Sequence, residues 1–104
     1  MLILGSGNVV HNLSMIDWDQ LSKKTPSWAL DFDRYVKYAL DTGKDDMLIN
    51  YSDGQGSKHS VATNEHYLPI LYACALRENG ETVKYFHEGF QHASISMRCF
   101  SIGL

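Results

Sequence analysis

A chain of 104 residues fits one domain and leaves no room for two. Its composition, 44% apolar, 12% aromatic and 20% charged with two prolines, argues against a disordered chain. A net charge of −3 with no run of lysine or arginine argues against nucleic acid or an anionic membrane as partner. The one adjacent basic pair, Lys23-Lys24, reads as a solvated turn. Cys74 and Cys99 sit in the apolar runs YACAL and MRCFSI, where cysteine behaves as a small buried hydrophobe. No disulfide framework is suggested, which fits a reducing cytoplasm. The opening MLILGSG is too short for a signal sequence and lacks a basic flank. No window approaches the ~20 apolar residues of a membrane span, so a cytoplasmic protein is expected.

In chain order, residues 1–5 read as a short buried strand closed by Gly5-Ser6-Gly7. A strand at the very start, without a preceding edge or cap, suggests a missing amino-terminal portion. Asn8 is placed to cap a short helical or irregular segment through Leu13, and the polar stretch 17–27, with Pro26, reads as a loop. The clearest helix runs from Trp28 to about Thr42, with Ser27 as N-cap and Gly43 as its left-handed terminator. Trp28, Phe32, Tyr35, Val36, Ala39 and Leu40 recur at helical spacing, and Asp31, Asp33, Arg34 and Lys37 take the other face. Residues 44–64 combine a charged turn, a brief apolar piece at 47–49 and a glycine-rich loop at 53–57. A second helix is expected over about 65–78, with Pro69 in its first turn and Asn79-Gly80 at its end. Strands are expected at 82–86 and 94–102, the second alternating through Ile95, Met97 and Cys99, with a long connection for a hairpin. The order predicts an α/β fold, a mixed sheet with flanking helices.

Candidate chemistry is sparse. Gly5-Ser6-Gly7 after a strand lacks the third glycine of a dinucleotide fingerprint, because position 10 is Val10. The run from His87 to His92 has one residue too many for a helical zinc-protease pair, since positions i and i+5 do not share a helix face. Those two histidines read as turn residues, and His59 as exposed in its glycine-rich loop. No nucleophile elbow and no C-x-x-C pair exist. His11 and His66 differ. His11 follows a strand and turn, where α/β proteins present reactive groups. His66 opens a helix beside Glu65, where one imidazole nitrogen is available to a metal while a neighbour orients the other. A satisfied, half-buried histidine remains the ordinary alternative for each.

The segments that carry a resemblance are Leu2–Leu13 (LILGSGNVVHNL) and residues 63–76 (TNEHYLPILYACAL). Both are similar to segments of class III extradiol ring-cleaving dioxygenases of the DOPA type. Trp28-Ala29, Phe32 and Tyr35-Val36-Lys37 resemble the intervening helix of that family, and Glu88-Gly89-Phe90 with Ser94–Met97 its closing strand. The resemblance covers nearly the whole chain, in order. It implies residues 1–104 are the carboxyl-terminal portion of a catalytic domain that opens catechols with O2 at non-haem Fe(II), a site that also accepts Zn(II) in purified material. It implies His11 as the acid–base histidine and His66 as a metal ligand. Glu65 beside His66 is our candidate for the group that orients it.

Departures qualify the likeness. Asn64 stands where the family has proline. Family members are more than twice as long and carry two further metal-binding histidines in an amino-terminal half absent here. A ferrous site needs about three protein groups, so His66 alone does not hold iron tightly. The alternative reading is a non-catalytic domain that binds or oligomerises, with uncovered helix faces and sheet edges favouring self-association.

Overall fold

Helix α1 (Ser27–Thr42) is the organising element of the computed structural model, which describes residues 1–16 and 24–104. Residues 17–23 of the expected loop, Lys23 among them, lie outside the described residues. The carbonyl of Pro26 accepts the amides of Ala29 and Leu30 at 3.1 and 3.2 Å, so the cap position is Pro26, and Ser27 is already helical. At the other end Gly43 turns left-handed at φ 67° and donates to the Ala39 carbonyl, as the sequence predicts. Phe32, Val36, Ala39 and Leu40 are buried as expected, Trp28 and Tyr35 are partly buried, and Ala29 is buried beside them, each large buried side chain contributing roughly 1.5–3 kcal/mol.

One charged residue breaks the expected pattern. Asp33, assigned to the solvent face, is only 6% exposed. Its position falls within the stripe 29, 32, 33, 36, 40, and its charge is met by Arg98 from the far end of the chain.

Short elements close around α1. Helix α2 (Asp45–Ile49) buries Leu48, whose carbonyl accepts the Tyr67 hydroxyl at 2.7 Å. Helix α3 (Ser57–Ser60) packs against α1, and Gly56 before it has φ +84° and sits so close that a Cβ would overlap the Trp28 carbonyl oxygen. Helix α4 (Pro69–Ala75) contributes Ile70 and Cys74 to the core.

Helix α4 is shorter than the span 65–78 expected from the sequence. The amides of Tyr67 and Leu68 both bond the Asn64 carbonyl, a helical turn that Pro69 cannot extend because it has no N–H for the Glu65 carbonyl. Pro69 therefore occupies the first position of α4.

Among the described residues, four strands form two antiparallel ladders: β1 (Val83–His87) pairs with β4 (Cys99–Ile102), and β2 (Phe90–Gln91) pairs with β3 (Ile95–Ser96). In register Val83 faces Ile102 and Tyr85 faces Phe100, with a shift between Tyr85 and His87. The single strand expected over 94–102 is thus two strands, divided where Met97 donates to the Gly89 carbonyl and Arg98 turns toward α1. Cys99, expected to be buried, is exposed, whereas Cys74 is buried; both thiols are free.

The largest correction concerns the amino terminus. Residues 1–5 form no strand, and Met1, Leu2 and Leu4 are 114%, 67% and 85% exposed. Among the described residues, backbone pairing to the rest of the fold begins at Asn8, and a parallel bridge joins His11 to Val61. Asn8 is not a helix cap either; Asn12 caps the 3-10 turn Leu13–Met15, accepting the Ser14 amide at 3.1 Å. Helices with small sheets make this an α/β fold. Among the described residues no helix is long and apolar enough to cross a membrane.

Candidate active site

The site begins with the interrupted helix at Pro69. Had the helix continued through residue 66, the His66 carbonyl would accept the Ile70 amide. Instead Ile70 bonds Tyr67 at 3.1 Å, and the His66 carbonyl accepts the Asn8 amide at 2.8 Å. Gly7 makes that approach possible, because a Cβ there would overlap the His66 carbonyl oxygen and stand 3.2 Å from Pro69 Cγ. Three residues on, the His11 amide donates to the Ser60 carbonyl at 2.9 Å. Between the two ties, Val9 and Val10 are buried and fix the chain's course.

This brings the two histidines singled out in the sequence into contact. The His11 and His66 rings stack with centroids 3.9 Å apart and planes inclined by 22°. His11 is half-buried and His66 exposed. Burial, and then the neighbouring His66, lower the His11 pKa below its ordinary 6.5, while the Glu65 charge and a backbone hydrogen bond oppose the shift. His11 is thus largely a neutral imidazole near pH 7, with the capacity to accept a proton.

Glu65 is exposed, and its carboxylate accepts the Thr63 hydroxyl. That bond, and then its own backbone hydrogen bond, hold the carboxyl below the usual range, with a further pull from both imidazoles. Its bond goes to Thr63, so its influence on the histidines is through charge.

The remaining histidines lie apart. His59 is exposed, 5.6 Å from the Trp28 ring, and its carbonyl accepts the Asn12 carboxamide at 2.8 Å. His87 ends β1 and lines a separate cleft with Phe90, Gln91, Met97 and Cys99. His92 sits in a turn at φ 50°. Among the described residues no three His, Cys, Asp or Glu side chains gather as a metal site. One imidazole with a second stacked on it falls short of the three protein groups a non-haem metal needs. The donors among the described residues do not fit such a metal by themselves.

The residues that hold the pair in place escaped the sequence reading. Ser96 donates its hydroxyl to Asp33 at 2.7 Å and its amide to the Val10 carbonyl at 3.2 Å, and its carbonyl accepts the Asn8 carboxamide at 2.9 Å. Arg98 bonds Asp33 through Nε at 3.1 Å and again through Nη2, and bonds Glu88 at 2.8 Å. The available signal was Asp33 itself, a carboxylate at a core position of a helix, which requires a buried partner.

Comparison with known proteins gives a consistent result. No family model matches the chain. It is 38% identical over 106 aligned positions to the 4,5-DOPA dioxygenase extradiol of Escherichia coli K12, covering 99% of this chain. The chain spans 39% of that relative's length. A crystal structure of an uncharacterized protein from Escherichia coli K12 superposes with a TM-score of 0.81 at 38% identity, covering 91% of this chain and 40% of its own. Along nearly its whole length, this chain is homologous to the carboxyl-terminal portion of a class III extradiol dioxygenase of the DOPA type.

Proposed function

We propose that residues 1–104 are the carboxyl-terminal portion of a catalytic domain that opens a catechol ring extradiol with O2. The observation that carries this reading is the contact between His11 and His66, which lie 55 positions apart in the sequence. Homology to an extradiol dioxygenase supports it.

His11 is the acid–base residue. Its lowered pKa leaves it neutral near pH 7, so it takes a proton from a catechol hydroxyl and returns it to the ring-opened product. His66 is a metal-ligating imidazole, and Glu65 adds negative charge beside both rings. A non-haem metal, Fe(II) with Zn(II) as a substitute, would be held in part by His66 and would supply Lewis-acid chemistry to the bound reactants. Its further ligands come from polypeptide outside this sequence, the amino-terminal portion that the longer relative possesses. Catechol and O2 are the small-molecule partners, and the reaction belongs to the cytoplasm.

The test is an aerobic assay with DOPA, following the yellow ring-opened semialdehyde, on this chain alone and combined with the amino-terminal portion of the Escherichia coli relative. Activity is expected only in the combination. In it, His66→Ala loses bound iron, whereas His11→Ala keeps iron and loses turnover. Normal iron content in the His66→Ala protein refutes the ligand assignment, and full turnover in His11→Ala refutes the acid–base role.

A further inference from the structure

We infer that Asn8 is the positioning residue that sets the two imidazoles against each other, anchored through Ser96 to the buried Asp33–Arg98 ion pair. The inference rests on the reading of His11 and His66 as the reacting pair. Asn8 touches neither ring by a side-chain hydrogen bond; it acts through the backbone that carries them.

Asn8 holds two distant parts of the chain at once. Its amide donates to the carbonyl of His66 at 2.8 Å, and its carboxamide donates to the carbonyl of Ser96 at 2.9 Å. Ser96 in turn bonds Val10, the residue before His11, so the segment Asn8–Val10 is tied to β3 at both ends. Buried Val9 and Val10 leave little slack between these ties and the His11 ring.

The anchor is firm because Ser96 is 2% exposed and its hydroxyl is held by Asp33, whose charge is fixed by Arg98. A carboxamide is the fitting group here. An aspartate would set a carboxylate against the Ser96 carbonyl oxygen, and an apolar side chain would leave that oxygen without this donor.

NMR on the 104-residue chain tests this without metal, catechol or turnover. The unaltered chain should show cross-relaxation between the His11 and His66 rings, and the Asn8 carboxamide should exchange at least tenfold more slowly than those of exposed Asn50 and Asn79. Asn8→Ala and Ser96→Ala should lose the inter-ring signal and keep the Phe32–Tyr67 and Tyr51–Tyr67 ring contacts. Ser96→Thr, which retains the hydroxyl, should preserve it. An inter-ring signal of full strength in Asn8→Ala overturns the inference. If Asn8→Ala does not fold, equal signals in Ser96→Ala and Ser96→Thr overturn it, as does an Asn8 carboxamide exchanging as fast as that of Asn79. Failure of the dioxygenase assay would sink the functional reading and leave these ring contacts standing, so the two outcomes are separable.

Discussion

Replacing Arg98 with methionine is the most informative perturbation of the fold. The Arg98 and Asp33 side chains are 5% and 9% exposed, so neither charge has water as a substitute partner. Without the guanidinium, the Asp33 carboxylate keeps, among the described residues, only the Ser96 hydroxyl. Breaking a buried pair by removing one member costs about 3–5 kcal/mol. For a domain of this size each kcal/mol moves Tm by about 4–8 °C, so the fall should be roughly 10–40 °C. The double variant Asp33→Leu with Arg98→Met removes both charges and should recover to within about 1 kcal/mol of the original. Lys37→Met, which breaks a pair with 38% and 42% exposed side chains, serves as the control and should leave the midpoint unchanged within error. Urea unfolding followed by far-ultraviolet circular dichroism measures all four proteins. A loss below about 1 kcal/mol in Arg98→Met, or a double variant no more stable than Arg98→Met, refutes the reasoning.

Three further outcomes are expected. Gly7→Ala should cost about 1–3 kcal/mol and displace the Asn8 amide from the His66 carbonyl, read as lost protection of that amide in hydrogen exchange; retained protection contradicts the close-approach argument. The His11 imidazole should titrate below 6.5, and His66→Ala should move its midpoint upward by removing one of the two lowering causes. Because the folded pKa is depressed, the unfolded chain takes up this proton first. The associated stability is complete above 6.5 and declines as pH falls from there through the folded value, a trend that pH-dependent unfolding checks. Iodoacetamide at pH 8 should label exposed Cys99 and spare Cys74, whose thiol burial pushes up to about 11, with both reacting in urea; equal native rates count against the packing of α4.

Local and nearly local information decided much of this protein. The spacing from Ala29 to Leu40 and the glycine at 43 determined α1 and its end, because a helix is closed by bonds within a few residues. The motifs around His11 and His66 named the two imidazoles that meet. The rest depended on partners far along the chain. Residues 1–5 have a strand's composition, but a strand needs a neighbour to take its backbone bonds, and the described residues provide none before Asn8. The helix at 65–78 shortened because Pro69 has no N–H for the Glu65 carbonyl, and the Asn8 amide takes the next carbonyl, that of His66. Asp33 read as a surface residue because its counter-charge lies 65 positions away, and only the folded chain brings the two together.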